Sequence, residues 1–310
     1  MTKATAIVLV LLLLSESIGL AQGTKIRVAT SPNDSGAEAF YAQDMGFFKK
    51  AGLDVEVIAI GNASLIHSGV LSGSIDIGST SMPPAALAHE RGLPYVLIAP
   101  GAVYSSRTPT SALVVAKNSP IKTASDLNGK TIGVRDLTNV GSVATEAWID
   151  KNGGDARSIK FVELPDSAAA PAVVQGRVDA ASIAEPFLDE ALKLDTRVLA
   201  PTYSAIANEF MIGAWFSTLD YAKAHPDIIR KFAAVVLETA RWANKNQARS
   251  AQILAKYAKV TVSSTMARVG YAERLAPSQI QPLIDAAARY GTIKASFPAS
   301  DLFAPGIRSQ

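Results

Sequence analysis

Hydrophobic and polar positions change their spacing repeatedly along the first hundred residues. Ile26 and Val28 alternate with polar residues, as in a half-buried strand. Residues 37–51 instead carry their aromatic side chains at helical spacing, and this segment is followed by Gly52. Three more short apolar runs and two more helical segments follow before residue 100. Strands that alternate with helices in this way predict an α/β fold with a mostly parallel sheet.

Two stretches about a hundred residues apart carry the same pattern. Residues 70–81 and residues 173–182 each predict the end of a helix, a glycine, a short strand and a small polar segment. Gly73 and Gly176 stand where a helix C-terminus favours a residue that tolerates positive φ. We interpret the second block as a repeat of the first, in which Val134 corresponds to Val28.

The alternation is interrupted at two places, which predict the division of the chain. Residues 100–109 break the pattern, and after residue 217 the chain becomes strongly helical. We expect a first lobe of residues 24–110 and 216–310, and a second lobe of residues 111–215. Each lobe would be a mostly parallel sheet flanked by helices, and the two chain crossings would form a hinge.

The N-terminal residues have the pattern of an export signal. Lys3 precedes an apolar run, and small residues follow it, so residues 1–23 are expected to be a signal peptide cleaved near residues 21–23. The chain contains no cysteine, which leaves no residue for a lipid anchor. The expected location is therefore the periplasm. An uncleaved membrane anchor is the alternative, although Glu16 ends the apolar run early.

Composition and charge exclude several classes of function. With 48% hydrophobic and 18% charged residues, the chain is typical of a globular protein. The net charge is +3, and there is no run of lysine or arginine, so we expect no nucleic-acid partner. His67, His89 and His225 have no ligand-like spacing, so no metal and no cofactor are expected.

A group of hydroxyl residues follows the strand of the first block. Ser79, Thr80 and Ser81 precede Met82 and a predicted helix. This arrangement predicts hydroxyls and free backbone N–H groups at a helix N-terminus, a natural place for an anion. The alternative is that Ser81 only caps its helix.

Several short motifs together resemble one protein family. They are residues 73–80 (GSIDIGST), 118–130 (NSPIKTASDLNGK), 184–187 (AEPF) and 46–55 (GFFKKAGLDV). The same motifs, in the same order, are typical of the nitrate/sulfonate/taurine family of solute-binding proteins of ABC importers, which also resembles thiamine-pyrimidine synthases. This resemblance implies a hinged, two-lobed periplasmic-binding-protein fold of type II. Its ligand would lie between the lobes, at the C-terminal ends of the strands.

Physical reasoning favours the same place, because ligands of open α/β sheets bind outside the strand C-termini. The candidate ligand-binding residues are the polar and aromatic residues that would face this cleft: Asn33, Asp34, Ser35, Asn62, Ser79, Thr80, Ser81, Tyr104, Arg135, Thr138, Asn139, Gly141, Ser142, Glu185 and Trp215.

Most of these candidates have a purely structural alternative. Arg135 is suited to an oxyanion but often such a residue pairs with a carboxylate, and Asp136 is adjacent. Thr138 and Asn139 are equally suited to capping the helix that follows, while Gly141 would let backbone approach a ligand. Glu185 is suited to the N-terminus of its own helix.

The sequence therefore favours a periplasmic receptor that captures a small anion, such as a sulfonate, nitrate or taurine. We expect a monomer that delivers its ligand to the permease of an ABC importer. The main alternative is an enzyme on the same fold, either similar to a pyrimidine-precursor synthase or a small lyase. We expect no enzyme, because no constellation of His, Cys or Lys suggests a catalytic group. A sensor domain that serves a membrane receptor is a third hypothesis.

Overall fold

The computed structural model describes residues 25–263 and 265–306, so the predicted signal peptide lies outside the described residues. The strands are β1 (Ile26–Thr30), β2 (Val55–Ala59), β3 (Ile77–Ser81), β4 (Tyr95–Pro100), β5 (Ala102–Ser105), β6 (Ser111–Ala116), β7 (Thr131–Val134), β8 (Lys160–Glu163), β9 (Ala180–Ala184), β10 (Thr196–Ala200), β11 (Glu209–Met211), β12 (Gly213–Thr218) and β13 (Gly270–Tyr271).

The helices are α1 (Glu38–Asp44), α2 (Phe47–Lys50), α3 (Ala63–Ser72), α4 (Met82–Glu90), α5 (Val140–Lys151), α6 (Asp166–Val174), α7 (Phe187–Ala191), α8 (Leu219–Ala224), α9 (Pro226–Lys245), α10 (Gln247–Ala258) and α11 (Pro277–Arg289). Within the described residues, none of these helices combines the length and the apolar composition that crossing a membrane requires.

Two five-stranded sheets have the same plan. The first has the strand order β2-β1-β3-β12-β4, and the second has the matching order β8-β7-β9-β6-β10. The prediction of two similar α/β units is therefore confirmed. The expectation of mostly parallel sheets holds for four strands of each sheet, while the fifth, β12 in the first sheet and β6 in the second, lies antiparallel to both of its neighbours. Both sheets are mixed.

The two similar stretches of sequence occupy equivalent places in these sheets. Gly73 and Gly176 end α3 and the segment after α6 with φ values of 74° and 68°, where only glycine is unstrained. Asp76 then accepts a hydrogen bond from the backbone N–H of Arg27 at 2.7 Å. Asp179 accepts one in the same way from Thr131 at 2.9 Å. Each aspartate joins the start of its strand to the neighbouring parallel strand.

The strand register corrects one equivalence. Val28 pairs with Ile77 in the first sheet, and Ile132 pairs with Ala180 in the second. Ile132, two residues before Val134, is thus the counterpart of Val28.

Alternating side chains of β6 supply the cores on both faces of the second sheet. Ala112 and Val114 pack on one side with residues of α6, while Leu113 and Val115 pack on the other with Ile149 of α5. Full burial of each such valine or leucine contributes about 1.5–3 kcal/mol. This two-residue period fixes the register of the sheet.

The two chain crossings run side by side. In β5 and β11, Tyr104 pairs with Phe210, and β13 completes this small antiparallel sheet. The expected boundary at residues 215–216 falls inside β12, a strand of the first sheet. We propose a first lobe of residues 25–105 and 209–306, a second lobe of residues 106–208, and a hinge at the crossings.

The two halves also touch directly. The Ser64 hydroxyl of α3 donates to Asp136 Oδ2, which follows β7, at 3.4 Å. The backbone N–H of Asp34 donates to the Glu185 carbonyl at 3.1 Å. These contacts bring the C-terminal ends of β1 and β2 opposite those of β9 and β7.

Candidate ligand-binding cleft

A cleft with about 510 Å³ of free space, part of it open to solvent, lies where β1, β3 and β7 end. Seven of the predicted site residues line it: Asn33, Ser35, Ser79, Thr80, Ser81, Arg135 and Trp215. The others lie outside its lining: Asp34, Asn62, Tyr104, Thr138, Asn139, Gly141, Ser142 and Glu185. Ser31, from the polar loop after β1, also lines it, and sequence reasoning missed two further polar residues of the lining, Glu38 and His67.

The three hydroxyl-bearing residues 79–81 lie in strand β3 and not in a turn after it. β3 extends through Ser81 because the antiparallel strand β12 pairs with it, Trp215 opposite Ser79 and Gly213 opposite Ser81. The Thr80 hydroxyl donates to the Ser81 carbonyl at 2.9 Å. Its one proton is thereby used, so the contact of 2.9 Å between Thr80 Oγ1 and His67 Nε2 has the imidazole as donor.

Ser79 is also held by the protein. Its Oγ lies 2.8 Å from Thr30 Oγ1, which donates to the Gly36 carbonyl at 2.7 Å. A carbonyl only accepts, so Ser79 is left to donate to Thr30. Ser79 therefore presents lone pairs to the cleft.

Ser81 offers the free hydroxyl of this strand. It occupies the N-cap position of α4, yet its side chain makes no capping hydrogen bond. The purely structural alternative for Ser81 thus lacks its defining contact.

The expectation of free backbone N–H groups at the N-terminus of α4 is wrong. The N–H of Met82 donates to the Ile212 carbonyl at 3.3 Å, and the next two residues are prolines, which have no N–H. Donors at this end of the cleft must come from side chains.

A tight loop after β1 places Asn33 in the cleft. Asn33 Oδ1 accepts from the Gly36 N–H at 3.1 Å and from the Ser35 hydroxyl at 3.0 Å. A Cβ at Gly36 would lie 2.5 Å from the Ser31 carbonyl, so this loop requires glycine. Asn33 Nδ2 is buried and has no hydrogen-bond partner among the residues that the structure describes. This orphaned donor faces the second half of the molecule, where Asp166 lies near the Asn33 side chain.

Arg135 brings a positive charge from the second half. Its partner is Asp166 at the start of α6, with 3.7 Å between Nη1 and Oδ2, and not the adjacent Asp136. At this distance the two charges attract without a hydrogen bond. Arg135 Nε is buried and has no hydrogen-bond partner within residues 25–263 and 265–306, so a largely buried side chain keeps one unused donor. Burial raises the pKa of Asp166, and the charge of Arg135 partly offsets this effect.

Glu38 lies on the side of the cleft formed by the first half. This carboxyl is 1% exposed, and its Oε2 accepts a hydrogen bond from Trp215 Nε1 at 2.8 Å. Its Oε1 has no hydrogen-bond partner in the described part of the chain. Burial raises the pKa of Glu38 to about 8, and the Trp215 hydrogen bond opposes this shift only in part. A lone acidic residue within an apolar segment was the sequence signal that could have identified it.

Asp34 is removed from the cleft by a buried ion pair. Its Oδ1 accepts from Arg268 Nη2 at 2.6 Å, and its Oδ2 accepts from the backbone N–H of Val269 at 2.8 Å. The side chains of Asp34 and Arg268 are 1% and 7% exposed. This pair joins the loop after β1 to a segment more than two hundred residues away. Asp34 positions the loop that carries Asn33.

Three further candidates are occupied at helix or turn N-termini. Asn62 accepts from the Ser64 N–H at 2.9 Å, and Asn139 accepts from the Ser142 N–H at 3.1 Å. Glu185 Oε2 accepts from the Asp189 N–H at 2.9 Å. For Asn139 and Glu185 the structure has the contacts at a helix N-terminus that sequence reasoning gave as the alternative.

Of the remaining candidates, Thr138 and Ser142 form hydrogen bonds within the protein, and Gly141 and Tyr104 are closely packed. The Thr138 hydroxyl donates to Asp136 Oδ1 at 2.8 Å, and the Ser142 hydroxyl donates to the Asn139 carbonyl at 2.8 Å. Gly141 faces β9, since a Cβ there would lie 2.8 Å from Ser182 Oγ. Tyr104 is fully buried and packs against Tyr203, with 5.4 Å between ring centroids.

The histidine of the cleft is neutral at neutral pH, because burial lowers the pKa of His67. Among the residues that the structure describes, no group of three or more His, Asp or Glu side chains is arranged to hold a metal ion.

Comparisons with known proteins agree with this architecture. The NMT1/THI5-like family profile matches residues 33–250. The chain is 23% identical over 247 residues to the putative binding protein BAB2_1146 of Brucella abortus, covering 79% of this chain and 75% of that protein. It is 25% identical over 140 residues to the 4-amino-5-hydroxymethyl-2-methylpyrimidine phosphate synthase of Schizosaccharomyces pombe, covering 45% of this chain and 38% of the synthase.

A solved structure shows the same fold. The alkanesulfonate-binding protein SsuA of Xanthomonas axonopodis pv. citri, bound to MOPS, superposes with a TM-score of 0.75 and is 17% identical. The match covers 90% of this chain and 97% of that protein. The periplasmic-binding-protein fold implied by the sequence motifs is thereby confirmed. On the extent of the profile match and on its fold, this chain is a member of the NMT1/THI5-like family.

Proposed function

We propose that this protein is the substrate-binding component of an ABC importer, which captures a small anion between its two lobes in the periplasm. The observation that carries this proposal is that each half contributes to the lining of one cleft a residue with a buried donor that lacks a partner among the described residues, Asn33 Nδ2 from the first half and Arg135 Nε from the second. Buried donors in native proteins nearly always have a partner. An oxyanion supplies acceptors for both donors at once.

Charge and hydroxyl groups support an anion of low charge. Arg135 is the cation that lines the cleft, and Asp166 compensates it in part. Ser81 adds a neutral donor. Such a site favours a single negative charge, as in a sulfonate or nitrate, over a doubly charged ligand.

Space next to the cleft favours an organic anion. A second cavity, with about 930 Å³ of free space of which part is open to solvent, shares Ser31 and Asn33 with the cleft and is also lined by Phe187, Tyr257 and Val260. Apolar side chains beside a polar site are typical of pockets for small organic ligands. The alkyl part of a sulfonate would lie there.

A ligand bound to both halves would stabilise the closed arrangement of the lobes. Binding shifts the population of a hinged protein by the difference in affinity for its two states. The permease would recognise the closed state, and the monomer would release its ligand there.

The family also contains a synthase, so an enzymatic role is the alternative. The discriminating experiment is a thermal-shift panel of ethanesulfonate, MOPS, taurine, nitrate and 4-amino-2-methylpyrimidines, followed by mass spectrometry of the recovered ligand. At a ligand concentration a hundredfold above Kd, binding stabilises the protein by about 2.7 kcal/mol. We expect an anion to raise the melting temperature by several degrees and to be recovered unchanged. Conversion of the ligand would favour the enzyme, and no shift by any anion would contradict the proposal.

A further inference from the structure

We propose that Glu38 contacts the bound anion directly, as a neutral carboxylic acid that donates a hydrogen bond from Oε1 to an oxygen of the ligand. This inference rests on the function proposed above, and it identifies one residue that makes binding depend on pH.

Of the two carboxyl oxygens of Glu38, one is bonded within the protein and the other is available to a ligand. The residue is 1% exposed and lines the cleft, Trp215 holds Oε2, and Oε1 has no partner in the part of the chain that the structure describes. Trp215 is itself anchored by an edge-to-face contact with Phe232, with 5.5 Å between ring centroids. The carboxyl therefore cannot turn towards solvent without losing the indole hydrogen bond.

The surrounding charges do not compensate an ionised Glu38. His67, which lines the same cleft, is kept neutral by burial, and Arg135 has Asp166 as its partner. Elsewhere around α1, charged side chains pair with one another: Lys50 with Glu238, Lys256 with Asp44, and Asp34 with Arg268.

Burial accordingly raises the pKa of Glu38 to about 8. At pH 7 the group is mainly the neutral acid, whose proton belongs on Oε1 because Trp215 donates to Oε2. Three atoms of cleft-lining residues that have no hydrogen-bond partner among the described residues, Asn33 Nδ2, Arg135 Nε and Glu38 Oε1, are then all donors, as the binding of an anion requires.

The ligand class follows from this donor set. A ligand oxygen in contact with Oε1–H needs the carboxyl to stay protonated, so ionisation above pH 8 removes a donor and adds a repulsive charge. The affinity for an anion should then fall by about tenfold for each pH unit above 8. A ligand that presented an ammonium group to Glu38 would instead bind more tightly as the pH rises.

The test is isothermal titration calorimetry with ethanesulfonate at pH 6.5, 7.5, 8.5 and 9.5. We expect the wild-type affinity to decline above pH 8. Glu38→Gln preserves the acceptor for Trp215 and offers an amide donor, so it should bind about threefold to tenfold more weakly at pH 7 and lose the pH dependence. Glu185→Gln is the matched control, because burial raises the pKa of Glu185 to about 7 but this residue does not line the cleft. The affinity of Glu185→Gln for ethanesulfonate should decline above pH 8 as that of the wild type does.

A wild-type affinity that is constant or rises up to pH 9.5 would overturn the inference while leaving the proposed function intact. The same holds if Glu38→Gln binds as tightly as the wild type and retains the decline. If the wild type binds neither ethanesulfonate nor any other anion of the panel, the proposed function fails first, and this inference fails with it. Melting curves of all three proteins at pH 7 verify that the variants are folded.

Discussion

Trp215 Nε1 donates a hydrogen bond of 2.8 Å to Glu38 Oε2 and so joins β12 to α1 at the cleft. Glu38 has an ordinary pKa of 4.5 when exposed and a pKa of about 8 in the folded protein. Between these values the folded state binds one proton more than the unfolded state. The contribution of this proton to the stability of the folded state is therefore fully present below about pH 4.5, and it is lost as the pH rises towards 8.

We predict that Glu38→Gln becomes more stable relative to the wild type as the pH rises. The difference in free energy of unfolding should change by up to about 1.4 kcal/mol per pH unit between pH 5 and 8, and then level off. Urea unfolding at pH 5, 6.5 and 8 measures this difference. A constant difference across this range would show that Glu38 ionises normally in the folded protein.

The buried pair of Asp34 and Arg268 predicts a large loss of stability on truncation. Asp34→Ala leaves the Arg268 charge buried without its partner, which should cost about 3–5 kcal/mol. Glu238→Ala breaks the exposed pair with Lys50 and should cost less than about 1 kcal/mol. Chemical denaturation of both variants compares them directly, and equal losses would contradict a structural role for Asp34.

Substitutions at Gly141 and Ser182 test the close approach of α5 to β9. An alanine there would place its Cβ 2.8 Å from Ser182 Oγ, and we expect Gly141→Ala to destabilise the protein by about 1–3 kcal/mol. Because Ser182→Ala removes the obstructing oxygen, the double variant should recover part of this loss. Additive losses in the double-mutant cycle would argue against this contact.

Asn139 should affect stability and leave ligand binding unchanged. Its side chain accepts from the Ser142 N–H, and it does not line the cleft. Asn139→Ala should cost about 1 kcal/mol of stability through loss of the cap, with anion affinity equal to that of the wild type. A loss of affinity at normal stability would return Asn139 to the ligand site.

The strand and helix pattern could be predicted because it depends on local spacing. The glycine, strand and aspartate of residues 73–79 and 176–182 were readable as a repeat, and both occupy the same position in their sheets. The direction of β12 was not readable, since only pairing across the molecule makes that strand antiparallel to β3. That pairing also turned residues 79–81 into strand and used the Met82 N–H.

The cleft was predicted in part for a similar reason. Residues at strand ends, such as Arg135 and Ser81, are placed by the fold itself, so their position followed from the sequence. The sequence did not show that Asp34, unlike its neighbours Asn33 and Ser35, lies outside the cleft lining. The reason is that its ion-pair partner Arg268 is 234 positions away in the sequence. Glu38 was overlooked because a carboxylate in an apolar helix face becomes informative only when its surroundings are known.

Calorimetric affinities of two variants test whether one anion is held by both halves at once. Arg135→Ala removes the cation of the second half, and Ser81→Ala removes the free hydroxyl of the first. For the anion that stabilises the wild type, we predict about tenfold or greater loss of affinity in Arg135→Ala and a smaller loss in Ser81→Ala, with folding intact in both. Wild-type affinity in both variants would contradict the claim.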